Sequence, residues 1–82
     1  MYTPGMVVWY ELWDVDTGNI VGTFTSEAEA LAEVRGLLAV NGASYADDLS
    51  LGRKQESGGE LIAEGDELAR RAEEAHQERR TA

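Results

Sequence analysis

Val7-Val8-Trp9-Tyr10-Glu11-Leu12-Trp13-Asp14-Val15 is the stretch whose reading decides the fold. Its β-branched and aromatic side chains predict a strand. Asp16-Thr17-Gly18-Asn19 follows, a turn signal because Gly and Asn tolerate positive φ. Residues 20–25 then return as a second strand, completing a β-hairpin. Strand side chains alternate, so Val7, Trp9, Glu11 and Trp13 share one face, and Val8, Tyr10 and Leu12 share the other. A half-exposed antiparallel strand alternates apolar with polar; this one is apolar on both faces. Which face meets the core depends on hairpin register. A two-residue Thr17-Gly18 turn would set Trp13 opposite Gly22, with the ring over the glycine, and a one-residue change in the loop would reverse the assignment.

Working outward, Ser26 and Glu29 form an S-x-x-E capping box. Ala28, Leu31, Val34, Leu37 and Leu38 follow helical spacing, and Asn41-Gly42 stops the helix. Residues 43–48 form a connection carrying Tyr45. Residues 49–55 predict a third strand, residues 56–59 a turn and residues 60–64 a fourth strand. Gly65 breaks that strand, and Asp66 is read as the cap of a second helix with Leu68, Ala72 and Ala75 on one side. Strand, glycine turn, strand, cap and helix therefore occur twice. Gly18-Asn19-Ile20-Val21 corresponds to Gly59-Glu60-Leu61-Ile62. The expectation is one α+β domain over residues 1–82: a loose start at 1–5, ββα units at 6–42 and 49–75, and a fraying tail at 76–82. In this ββαββα plan a four-stranded antiparallel sheet carries both helices on one face.

The 82 residues contain no cysteine, which excludes disulfides and thiolate metal sites. The longest apolar run, residues 6–10, is too short to span a bilayer, and no basic segment precedes an apolar leader. A cytoplasmic protein is the expectation. The net charge is −9. Through Asp48 there are eight acids and one base, Arg35; from Leu49 onward there are eight acids and six bases. The acidic first part lacks the lysines and arginines that phosphate backbones or anionic membranes require. It suits a basic protein partner instead, with Glu27, Glu29 and Glu33 as the candidate acidic surface.

The chemistry-bearing patterns fail in detail. Asp14-x-Asp16-x-Gly18 places its glycine and its twelfth residue, Thr25, wrongly for a calcium loop. Asp47-Asp48 are adjacent loop residues, and such neighbours usually diverge into solvent. His76 is the only histidine, so no triad or histidine metal cluster can be assembled. The glycines fit neither phosphate-binding fingerprint. Arg53-Lys54 read as charges that blunt a sheet edge. No catalytic residue, metal ligand or cofactor site is assigned, and the expected protein is not an enzyme.

The runs Tyr10-Glu11-Leu12-Trp13-Asp14, Thr17-Gly18-Asn19, Gly22-Thr23-Phe24 and Glu27-Ala28-Glu29-Ala30-Leu31 resemble short, acidic bacterial proteins of uncharacterised function. The strand–strand–helix portion through Leu38 also distantly resembles the HicB-type antitoxin core, in which an extended segment precedes an E-E-A-L helix. The match covers under half of the chain and lacks that family's third strand and any appended DNA-binding module. It transfers no functional residues.

Four of the six aromatic residues fall in the first thirteen positions: Tyr2, Trp9, Tyr10 and Trp13. One reading has another part of the chain cover the second face: the N-terminal segment, the Tyr45 connection or the tail. The other makes that face a contact surface, since Tyr and Trp are enriched in interface hot spots. The interface candidates are Val7, Trp9, Tyr10 and Trp13. The leading expectation is a non-catalytic protein-interaction module, a homodimer in the simplest case. The alternative is an acidic regulatory inhibitor, antitoxin-like or nucleic-acid-mimicking, that occupies a basic site on a partner.

Overall fold

Two hairpins join through their first strands. The computed structural model describes residues 7–81 and contains β1 (Val8–Asp14), β2 (Asn19–Phe24), α1 (Glu27–Asn41), a 3-10 turn (Ala43–Asp48), β3 (Leu49–Gln55), β4 (Gly58–Glu64) and α2 (Gly65–Thr81). The sheet is antiparallel throughout, in the order β2-β1-β3-β4. The loose start read for residues 1–5 lies outside the described residues.

The first hairpin closes through four residues rather than two, because Asp14 pairs with Asn19. Asp14 Oδ1 accepts the backbone N–H groups of Asp16 at 3.0 Å and Thr17 at 3.1 Å. Gly18, at φ +75°, donates to the Asp14 carbonyl. This register puts Trp13 opposite Ile20 and Leu12 opposite Gly22. Phe24, not Trp13, covers Gly22: its ring lies 3.1 Å from where a Cβ there would sit.

Each hairpin carries the same irregularity. Leu12 pairs with Gly22 and Trp13 with Ile20, leaving Val21 as an extra residue. Leu51 pairs with Ala63 and Gly52 with Leu61, leaving Ile62 extra. A bulge in each return strand explains both shifts. Val21 and Ile62 both pack against the core, while Ile20 and Leu61 are both exposed. Leu12 and Leu51, the matching positions of the two units, face each other across the β1–β3 ladder. The units are thus related by a pseudo-two-fold axis through that pair.

The core joins Leu12, Leu49, Leu51 and Ala63 of the sheet to Ala30, Leu31 and Val34 of α1 and Leu68 and Ala72 of α2. Both helices therefore lie on the Leu12 face. The molecule is 17 Å across its thinnest direction. That admits one sheet and one helical layer, since a further layer adds roughly 10 Å. Ser26 caps α1 by accepting from Glu29 N–H, and Gly42, at φ +98°, ends it with its N–H on the Leu38 carbonyl. α2 begins at Gly65, whose φ of +58° turns the chain straight from strand to helix. Asp66 therefore lies in the first helical turn and does not precede it. α2 continues past Ala75, where the apolar stripe ends, to Thr81. Ion pairs of Arg70 with Glu67 and Glu74, and of Arg71 with Glu67, tie down its exposed side. Among the described residues no helix is long and apolar enough to cross a membrane.

Candidate functional site

With Leu12 committed to the core, alternation sends Trp9, Glu11 and Trp13 to the opposite face of the sheet. Cross-strand partners share a face, so the register brings Lys54 beside Trp9, Gly52 beside Glu11 and Ser50 beside Trp13. On the outer strands Thr23 and Ile20 join from β2, and Gly59, Leu61 and Glu64 from β4. Trp13, Ile20 and Leu61 are exposed by 37%, 46% and 58%, on a face that the helices do not reach. Val7, just before β1, is also exposed. Tyr10 is separated from these residues. It lies on the helix side, opposite Phe24, and packs against the core.

Glu11 organises β1's contribution. The Trp9 indole N–H donates to its Oε2 at 3.0 Å, and the Trp13 indole N–H donates to its Oε1 at 3.2 Å. One carboxylate thus draws two rings, four residues apart in sequence, toward a common point. The hydrogen bond from Trp9 is the main cause holding the Glu11 carboxyl below its ordinary range, with Trp13 and nearby Lys54 adding to it against a smaller desolvation effect. The result is a ridge of two indoles around a buttressing anion.

Beside the ridge the surface falls away. Gly52 and Gly59 carry no side chain, and Ser50 carries a short one. A hollow of about 260 Å³ opens there, lined by Trp13, Ser50, Gly52, Lys54, Gly59, Glu60 and Leu61. Ligand pockets for drug-sized molecules measure ~300–1,000 Å³ and enclose most of their occupant, so this hollow suits a side chain rather than a substrate. The Lys54 stem crosses Gly59 so closely that a Cβ there would meet it at 2.7 Å. At Gly52 a Cβ would make only an ordinary 3.4 Å contact with the Glu60 carbonyl. β3 is an inner strand, so Arg53 and Lys54 do not blunt an edge, contrary to the sequence reading. Arg53 instead pairs with Glu60 at 3.4 Å.

The Tyr45 connection does not cover this face. Its hydroxyl donates to Asp14 Oδ2 at 3.0 Å, and the ring packs against the core. Asp14, held low by the Thr17 N–H above all, is thereby absorbed in turn and core contacts. Asp48 is shifted upward by desolvation first and by Asp16, Asp14 and Asp47 next. These acids gather at one end of the sheet, yet among the described residues no group of three or more His, Cys, Asp or Glu is arranged to hold a metal. The acidic candidates on α1 differ in role. Glu29 accepts from the Thr25 backbone N–H at 3.2 Å and hydroxyl at 2.7 Å, which completes the capping box one residue earlier than its usual form. Glu27 lies 3.7 Å from Arg71. Glu33 is exposed.

Trp9 and Trp13 were legible from alternation and composition. Ile20, Ser50, Gly52, Lys54 and Leu61 were not, because their membership depends on the bulges and on β1 pairing with β3. Comparison with protein-family models, with curated proteins and with solved structures finds no match, so the geometry of the open face bears the functional reading.

Proposed function

We propose that this domain is a non-catalytic interaction module whose partner is a second copy of itself, docked through the open face of the sheet. The observation that carries the reading is a four-stranded sheet with one face bearing Trp9, Trp13, Ile20 and Leu61 and covered by none of the described elements. A patch of this kind loses unfavourable apolar hydration when it is covered. It also carries both charge signs, Glu11 and Glu64 against Lys54, so a second copy meets complementary as well as like groups. One lysine beside two glutamates gives no electrostatic grip on a phosphate backbone.

Magnitude sets the expected strength. Four strands ~4.8 Å apart and seven residues long at ~3.3 Å each give a face of about 400–450 Å². Two such faces total about 900 Å², below the ~1,200–2,000 Å² of stable specific interfaces and in the range of weak, transient ones, and a micromolar or weaker dimer is the matching expectation. Sedimentation velocity from 1 to 200 μM tests it. The wild type should shift from monomer toward dimer across that range. Trp13→Ala should weaken the dimer by about 2 kcal/mol, roughly thirtyfold in Kd, as for an aromatic hot spot. A wild type that stays monomeric throughout would overturn the proposal.

A further inference from the structure

The open face has a ridge on one side of the sheet's centre line and a trough on the other. β1 supplies Trp9, Glu11 and Trp13; β3, at the same three heights, supplies Lys54, Gly52 and Ser50. On the core side the central pair, Leu12 and Leu51, is identical, although Tyr10 opposes Arg53 and Asp14 opposes Leu49 beside it. A ridge lying beside a trough of equal length is its own complement when turned about an axis that runs between them.

We infer that the dimer axis runs parallel to the strands, between β1 and β3, so that each copy's Trp9–Glu11–Trp13 ridge seats over the other's Ser50–Gly52–Lys54 trough. This inference rests on the self-association proposed above and assigns its geometry. Rotation about such an axis keeps each residue's height along the strands. It lays Glu11 over Gly52 of the second copy, Trp13 over Ser50 and Trp9 over Lys54. Trp13 then meets the short Ser50 and Glu11 the bare Gly52, and the hollow walled by Trp13 and Leu61 receives an indole. The Lys54 ammonium comes over an indole face, where a cation is attracted by the ring quadrupole, and next to the Glu11 carboxylate that the indoles keep ionised. Packed sheets cross at about 30°, so these matches hold best near the centre, where Glu11 and Gly52 lie. The alternative with the axis across the strands stacks β1 on β1, placing the ridges against each other and leaving the two troughs facing.

Gly52 is the discriminating position. It has no positive φ, and a Cβ there meets nothing closer than 3.4 Å, so a side chain is tolerated within the monomer. Valine suits a strand but fills the trough. Sedimentation velocity of Gly52→Val should show Kd raised on the order of tenfold to a hundredfold, the effect of overpacking a fitted contact. Gly52→Ala should show a smaller increase, with the thermal transition of the dilute monomer retained in both. If Gly52→Val dimerises as tightly as the wild type while Trp13→Ala does not, the face is the interface but the ridge-in-trough geometry is wrong. A wild type that never dimerises removes the self-association itself. Should Gly52→Val fail to fold, Gly52→Ala decides: an unchanged Kd overturns the geometry.

Discussion

Glu11 lies between two indoles, on a face where an apolar residue would complete the strand's composition. Ionised, its carboxylate is an acceptor at both oxygens, and the two indole N–H groups use one each; protonation turns one of those oxygens into a donor hydroxyl and weakens the clasp. Because its folded pKa is depressed, mainly by Trp9, the stabilisation it provides is present above the ordinary glutamate value and is lost as pH falls through the lowered one. Tryptophan emission should therefore change in a step centred below the usual glutamate range, about 4.3. Glu11→Gln, which offers one acceptor oxygen for two donors, should lack that step and show altered emission already at pH 7. A pH titration of fluorescence on both proteins checks this; a step that survives in Glu11→Gln would assign it to other carboxylates. The sequence placed Trp9, Glu11 and Trp13 on one face through simple alternation. The clasp itself was not legible, since it requires both rings to lean inward, and side-chain direction in a strand depends on neighbours across the ladder. Tyr10 shows the same limit. Hydrophobicity grouped it with the tryptophans, whereas alternation, once Leu12 was fixed as core, assigned it to the helices.

At the scale of elements, the strongest local signals produced the most accurate boundaries. Ser26, Glu29 and Gly42 bracket α1 as read, because a capping oxygen and a positive-φ glycine act within a few residues of their own position. The hairpin register was harder. It turns on how many residues the Asp14 side chain gathers into the turn and on where a bulge falls, and both choices are made by tertiary packing of Val21 and Phe24. The second helix illustrates the converse. Its apolar stripe ends near Ala75, yet the helix runs on to Thr81; the ion pairs of Arg70 with Glu67 and Glu74 stiffen the turns before that point, and the Gln77 amide reaches back across it to Glu73 at 3.4 Å. Ser26→Ala removes the acceptor for Glu29 N–H and should cost about 1 kcal/mol, measured by urea unfolding at fixed protein concentration. The loss should appear as a lower midpoint with an unchanged slope, because the amount of surface exposed on unfolding is the same. A cost near zero would mean that Glu29's bonds to Thr25 hold the helix start unaided.

For the whole molecule, the decisive quantity is how little interior it has. A domain of about this size gains only ~3–5 kcal/mol from one core, and among the described residues the fully buried large side chains are five: Leu12, Leu49, Leu51, Leu68 and Val34. The open face adds apolar surface that costs free energy while it is wet. Covering it by self-association would stabilise the fold through mass action, since a native-only contact shifts unfolding in proportion to the logarithm of concentration. For a dimer that unfolds to two free chains, a hundredfold rise in concentration is worth about 2.7 kcal/mol per dimer, or half that per chain. With about 4–8 °C of melting temperature per kcal/mol in a domain of this length, the transition should rise by roughly 5–10 °C within the range where dimer forms. Differential scanning calorimetry at 2 and 200 μM reads this directly. The dependence should shrink in Trp13→Ala and Gly52→Val, leaving both closer than the wild type to the dilute melting temperature at 200 μM. A melting temperature independent of wild-type concentration would mean that the open face contributes nothing to stability through a second copy. The few buried leucines would then hold the fold alone, with the tryptophan ridge left in water.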